Sequence, residues 1–397
     1  MRVLISGAGI AGPALAFWLH RAGADVTIVE KAPGLRPGGQ AVDVRGVARG
    51  VVENMGLMPA IRASRVDERG IALVDNRGRR LAEMPADLFG GEGIVAEIEI
   101  SRGDLSRILV EATATMADYR FGDRITALTP DGRATFQSGG SARYDVIVGA
   151  DGVHSGVRAL AFGPEPDFVR PLGGYGALFT VPAPDDLNHW AHMYNAPGGR
   201  VALIRPTVEG RAMAALNFLS RTRYGRLSRE EQQRLIARNL EGAGWKVPSL
   251  LAAMPTAADF YFDSIDQVHV DTWSRGRTVL LGDAGYCGSP LAGLGTSMSL
   301  VGAYVLAGEL ATHGDPEAAF PAYQNAMASY VAEGTRLPPG GMHAFAPKSR
   351  LMIRARAASM RSMSRWPMRQ LLAKQFGKSD AITLKPYTFA ALQTPKP

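Results

Sequence analysis

Val3-Leu4-Ile5-Ser6-Gly7-Ala8-Gly9-Ile10-Ala11-Gly12-Pro13 opens the chain and decides how the rest is read. Val3–Ser6 has the apolar texture of a short buried strand, Pro13–Arg21 that of a helix, and Asp25–Glu30 that of a second strand. Strand, glycine turn, helix and strand make a βαβ start. In that context Gly7 makes the sharp turn, Gly9 lets the backbone approach a pyrophosphate, and Gly12 lets helix and strand pack closely. The phosphates would lie on the helix N-terminus at Ile10 and Ala11, and Glu30, with Lys31 beside it, would meet the ribose of an adenosine half. A glycine-rich turn with no ligand is the alternative, and the motif does not choose between FAD and NAD.

Further along, a Gly- and Pro-rich loop (34–39) leads to a short helix near Val47–Met55 and a hairpin of Ile71–Val74 with Arg80–Met84. A helix over about 103–115, strands near 119–128 and 134–136, and a buried strand at Val146–Val148 follow. From about 174 to 271 the texture becomes strand-like: Gly176–Val181, Trp190–Tyr194, Val201–Arg205, Met213–Phe218 and Phe260–Val268, interrupted by one clear helix over Arg229–Leu240. Thr278–Leu281 returns to a buried strand, followed by a glycine-rich turn and a helix over about 296–312. The expected fold is α/β, α+β overall. A Rossmann-like dinucleotide domain (1–72, 101–173 and 272–340) is interrupted by a mostly antiparallel substrate domain (73–100 and 174–271), and a basic helical segment (341–397) ends the chain.

At 397 residues the chain exceeds one ordinary domain. Its 46% apolar and 20% charged composition excludes global disorder, and its single cysteine, Cys287, excludes a disulfide scaffold and fits the cytoplasm. The net charge of +7 is concentrated: from Lys348 onward eleven Lys and Arg face one acid, Asp380, so the tail carries +10 and the body −3. Such a tail is read first as the wet face of a packed helix, with RNA, an anionic membrane or an acidic partner as alternatives. Arg350, Arg354, Arg361, Arg365 and Arg369 fall roughly on one helical face, Leu351, Ala355, Ala358, Met363, Leu371 and Leu372 elsewhere, and Pro367 bends or restarts the helix. Residues 3–19 and 284–308 have the apolar content of membrane segments, but Gly7, Gly9, Gly12, Gly288, Pro290, Gly293 and Gly295 break both, so no transmembrane segment is expected.

Two further motifs carry a resemblance. Asp145-Val146-Ile147-Val148-Gly149-Ala150-Asp151-Gly152-Val153-His154-Ser155-Gly156-Val157-Arg158 and Gly282-Asp283-Ala284, the latter with Pro290 and Gly293-Leu294-Gly295-Thr296 behind it, follow the glycine turn in order. Together the three motifs resemble the class A flavoprotein monooxygenases related to para-hydroxybenzoate hydroxylase, and the resemblance covers roughly residues 1–335. It implies a non-covalent FAD, with NADPH or NADH as cosubstrate and O2 as oxidant. Asp283 would hold the ribityl chain, the segment around Pro290, Gly293, Leu294, Gly295 and Thr296 would lie beside the flavin, and Asp151 and Gly152 would serve FAD and NADPH use. Arg102 would approach the flavin, Arg45 would reach the flavin or pyrophosphate, and Arg158 belongs to the Asp151 signature. Outside this motif, Asp151 reads as a helix cap and Arg158 as a surface ion pair. Tyr286 and Leu294 depart from a histidine and a glutamine frequent in the family. Tyr286 keeps a donor there and Leu294 does not. Cys287 reads as a small buried filler.

The implied reaction passes through a C4a-(hydro)peroxyflavin that hydroxylates or oxygenates an aromatic or polyketide-like small molecule, with no catalytic side chain and no metal. Tetracycline-inactivating enzymes share this general layout. Phe179, Trp190, His192, Met193, Tyr194, Met213, Asn217, Phe260 and Pro290 are candidates for the substrate walls, and on alternating strands about half of such residues face the core instead. Two other functions stay open: a flavin-dependent oxidoreductase that inserts no oxygen, and a non-catalytic flavin-binding protein. No nucleic-acid partner is expected, and the chain would act as a monomer or homodimer.

Overall fold

A computed structural model describes residues 1–89, 98–207, 210–363 and 381–389. The opening apolar run becomes the strand Arg2–Ser6, buried from Val3 onward. It is the hub of a six-stranded sheet, flanked in parallel by Asp25–Glu30 and Val146–Gly149. Asp118–Phe121 extends the sheet on one side, and Thr278–Leu280 with Ser274–Arg275 extends it on the other. Strands buried on both faces need no alternation, which is why these runs are uniformly apolar. The helices Ala11–Arg21 and Gly295–His313 pack on one another in this lobe, and Pro316–Gly334 packs on the second of them.

A seven-stranded sheet forms the other lobe, in the order Tyr261–Val268, Val169–Pro182, Arg211–Leu219, Arg200–Pro206, Trp190–Ala196, Gly70–Val74, Arg80–Pro85. All neighbours are antiparallel except Trp190–Ala196 with Gly70–Val74. The expected boundaries at 72/73 and 173/174 therefore fall inside strands of this sheet. Pairing across the sheet, invisible in a local window, carries these strands back to Gly70 and Val169.

Three other expectations need correction. The stretch 119–128 is two strands in two sheets, because Gly122 takes φ +75° and the Asp123 carboxylate accepts from Ser138 and the Arg124 N–H, which turns the chain. The helix Pro316–Gly334, absent from the sequence reading, buries Phe320, Tyr323, Met327 and Tyr330. In the tail, Arg350–Met363 is a helix, but its inward stripe is Arg356, Ala357 and Met360, while Leu351, Ala355 and Ala358 are exposed. Arg365, Pro367, Arg369, Leu371 and Leu372 lie outside the described residues.

Residues 381–389 pack on the first lobe. Tyr387 donates to Glu309 at 2.6 Å, Lys385 pairs with the same carboxylate at 2.8 Å, and the Phe389 ring stacks 4.9 Å from Trp18. Gly308 makes room for the Tyr387 ring, since a Cβ there would stand 2.3 Å from it. The last described segment thus straps the helices Ala11–Arg21 and Gly295–His313 together.

His154 joins the lobes. Its imidazole bonds Glu165 at 3.0 Å and, across the interface, Asp263 at 3.0 Å. Donating a hydrogen bond to the Asp263 carboxylate raises its pKa to about 9 against the opposing effect of burial. A pKa raised on folding means that the stabilisation is complete below the unfolded value near 6.5 and is lost as pH rises through about 9. Half exposure screens this contribution. The thermal midpoint of the wild type is expected to exceed that of His154→Gln at pH 6 and to converge with it above pH 9; parallel pH profiles would refute the clasp.

Candidate cofactor and substrate site

Three segments meet at the C-terminal edge of the six-stranded sheet, where open α/β sheets bind ligands. The glycines there divide into two kinds. A Cβ on Gly7 would lie 2.4 Å from Ala150 O, one on Gly12 would lie 2.0 Å from Gly7 O, and one on Gly282 would lie 2.9 Å from Ser299 Oγ and 3.3 Å from Ala11 Cβ. These three are close-packing positions that bring the glycine turn, the Asp151 loop and the Asp283 turn together. Gly9, Gly152 and Gly293 leave their backbone uncovered: a Cβ on Gly9 meets only the Arg102 guanidinium, at 3.2 Å, and one on Gly152 or Gly293 meets nothing within 4 Å.

The helices Ala11–Arg21 and Gly295–His313 both begin here, and neither has a side-chain cap or an acid in its first turn. Their N–H groups and dipoles are therefore left for an external anion. Glu30 ends the second strand, accepting from Ala8 N at 3.0 Å and Ala32 N at 2.9 Å, and each of its oxygens keeps a lone pair for a sugar hydroxyl. Lys31 is exposed just beyond. Ser106, which no sequence pattern singled out, bonds Ala8 O and Gly9 O at 3.1 Å each and fixes the turn from the helix Arg102–Thr113.

Asp283 stands against Gly295, whose Cβ would lie 3.6 Å from its carboxylate. Burial pushes its pKa up, opposed by the Cys287 thiol and the nearby Arg102 guanidinium. Burial likewise pushes the Cys287 thiol well above its ordinary range, so it stays protonated beside Asp283. Cys287 is buried, as its sequence reading has it. Leu294 is buried immediately before the helix, Thr296 is half-buried and Pro290 is exposed.

Four sequence assignments change. Asp151 accepts from Ser6 Oγ, Ser155 Oγ, Gly156 N and Val157 N, which makes it an anchor for the helix Gly156–Ala161. Arg158 is fully buried, donates to Ala284 O at 2.8 Å and Val153 O at 2.6 Å, and joins the Asp151 and Asp283 loops rather than facing a ligand. Arg45 is buried and paired with Asp43 at 2.6 Å, with its N–H on Ser297 Oγ. Tyr286 points away into the core, where its hydroxyl meets that of Tyr323 at 2.7 Å and its ring lies 4.6 Å from Trp273. Gly302 leaves room for that hydroxyl.

The seven-stranded sheet has two different faces. One carries Phe179, Tyr194, Ala202, Ala214, Leu216 and Phe218 and is covered by the helices Arg229–Leu240 and Val247–Ala253. Phe179 and Tyr194 are therefore core, and Phe260 joins them 6.5 Å from Phe179. His192 and Trp190 share that face by register: His192 is buried and kept neutral by burial, and Trp190 lies under Arg80. The opposite face carries Leu178, Thr180, Met213, Asn217 and Tyr261. Its Tyr261 ring lies 4.8 Å below Arg36, and Thr180 approaches Gly38, whose Cβ would stand 3.5 Å from its hydroxyl. Leu178, Thr180, Asn217 and Tyr261 are only half-buried, and of these Tyr261 and Thr180 reach the loop of Arg36 and Gly38. Met193 is on this side too, but it is buried beneath Arg356.

A family model described as an FAD binding domain matches residues 1–336. An uncharacterized protein of Mycobacterium tuberculosis is 43% identical over 336 residues, covering 83% of this chain and 89% of that protein. A flavin-dependent monooxygenase from an unknown prokaryotic organism is 38% identical, covering 83% and 86%. The crystal structure of the tetracycline destructase Tet(55) superposes with a TM-score of 0.80 at 34% identity, covering 97% of this chain and 98% of that one.

Proposed function

The chain belongs to the FAD-binding family of flavin-dependent monooxygenases, and from that premise we propose that it hydroxylates a polycyclic aromatic or enolised polyketide with NADPH or NADH as reductant. The bound FAD supplies the redox and oxygen-transfer chemistry. Donors and open backbone suit it: two uncapped helix N-termini and Gly9 for the pyrophosphate, Glu30 for the ribose, and Asp283 for the ribityl hydroxyls. Arg102 faces the same opening and balances the anionic charge. Arg158, Asp151 and Ser106 position these groups without touching the ligand.

The observation that carries the substrate class is the half-buried sheet face of Leu178, Thr180, Asn217 and Tyr261, apolar area with a few polar handles, which meets the loop of Arg36 and Gly38 through Tyr261 and Thr180. The tetracycline destructase relative supports a polyketide of several fused rings. Burial of that wall by substrate would exclude water from the reacting atoms. We also assign the enzyme to the cytoplasm, as a monomer or homodimer.

Purified protein with a flavin spectrum, given NADPH or NADH in air with phenols and fused-ring polyketides, should oxidise nicotinamide faster with one compound and release a product heavier by one oxygen. A product without added oxygen would overturn hydroxylation in favour of the simple redox reading. Asn217→Ala is expected to keep its flavin and thermal midpoint while kcat/KM falls about tenfold, the loss of one buried hydrogen bond. Phe179→Ala should instead cost about 3–5 kcal/mol of stability. Equal behaviour of the two variants would mean that the faces are wrongly assigned.

A further inference from the structure

The helix Arg350–Met363 is held to the seven-stranded sheet along one stripe: Ala357 and Met360 are buried, and Arg356 reaches Asn195 Oδ1 at 3.0 Å and Met193 Sδ at 3.2 Å. Helical periodicity puts Leu351, Ala355 and Ala358 on the opposite side, and all three are exposed. Leu351 is 76% exposed and its neighbour Met352 39%; among the described residues only Phe121 and Leu160 are other large apolar side chains left so open. Lys348, Arg350 and Arg354 are exposed around this pair. No acid occurs in the sequence between Glu333 and Asp380, while nine Lys and Arg do after Arg336.

We propose that this outward face docks on the surface of an anionic membrane. A cationic surface suits either phosphodiesters of nucleic acid or lipid headgroups, and the apolar side chains decide between them. Nucleic acid gains little from an exposed leucine beside its phosphates, whereas a bilayer interface takes the apolar side chain below the headgroups and the cations among them. Contact is peripheral, since no helix among the described residues is long and apolar enough to cross a membrane. The inward stripe keeps the helix on the sheet while the outward one engages lipid, so docking asks for no unfolding.

The test is co-sedimentation of the full-length holoenzyme with phosphatidylcholine vesicles with and without phosphatidylglycerol. Pelleting is expected only with phosphatidylglycerol and should be lost at high salt. Leu351→Ser, which leaves the charge unchanged, should lower the bound fraction several-fold, and Arg350→Glu with Arg354→Glu should abolish binding. Both variants should keep the wild-type thermal midpoint and flavin content. Failure of the wild type to pellet, Leu351→Ser pelleting as well as wild type, or tighter binding to a DNA duplex than to the vesicles would overturn the proposal.

Discussion

Gly12→Ala is expected to yield protein without flavin and with a strongly lowered thermal midpoint. The added methyl would stand 2.0 Å from Gly7 O and 3.2 Å from Ile5 Cγ2, and the first of these is backbone that no rotamer change can move. Interiors at crystal-like density offer no slack, so the helix Ala11–Arg21 must lift off the strand Arg2–Ser6. That movement dismantles the βαβ unit and the helix N-terminus at once. Gly9→Ala separates cofactor binding from folding. Its methyl meets only the tip of Arg102, at 3.2 Å, and that side chain can shift. Gly9→Ala should therefore fold with a near wild-type midpoint and yet bind flavin poorly, because the methyl occupies the approach to the pyrophosphate. The flavin absorbance per protein and the thermal midpoint, read together, check both variants. A flavin-loaded Gly9→Ala enzyme would remove the pyrophosphate assignment, and a stable Gly12→Ala would remove the packing argument.

Arg158→Ala should destabilise the protein by about 3 kcal/mol or more, since it strands two buried carbonyls that a guanidinium now satisfies. Val153 O lies 5 residues before Arg158 and Ala284 O lies 126 residues after it, and the planar fork of Arg158 spans both. Removing it frees the Asp151 loop from the Asp283 turn, so flavin affinity should fall along with stability. Arg158→Lys, a single ammonium in place of the fork, should recover less than half of the loss. Thermal unfolding with and without added FAD measures this; a wild-type midpoint in Arg158→Ala would refute the bracing role.

Arg158 also shows why sequence motifs misassign roles. It sits in a signature associated with cofactor use, and it does serve the cofactor segments, but through the carbonyls of two loops. Asp151 behaves alike, spending its carboxylate on the start of the helix Gly156–Ala161. Tyr286 stands where the family frequently has a histidine and keeps a donor, yet that hydroxyl belongs to Tyr323, on a helix the local pattern does not reveal. Ser106 left no signal at all, because a serine in a helix announces nothing until the carbonyls opposite it are known.

The sequence by itself determined the βαβ opening, the family, the FAD cofactor and the antiparallel texture of the inserted lobe. Each rests on local information: glycine spacing at a strand-to-helix turn, continuous apolar runs, and motifs a few residues long. Only the tertiary structure decided which face of the inserted lobe's sheet is covered by helices and which is left half-buried. Alternation along a strand sorts residues into two faces without saying which layer covers each, so Phe179 and Asn217, equal candidates in the sequence, part once the helices Arg229–Leu240 and Val247–Ala253 are seen to cover one side. The same holds for the strap of Lys385, Tyr387 and Phe389 on Trp18, Tyr304 and Glu309. Tyr304 and Glu309 lie 76 to 81 residues back along the chain and Trp18 lies in its first helix, and no local pattern encodes contacts whose other halves are supplied by such distant helices.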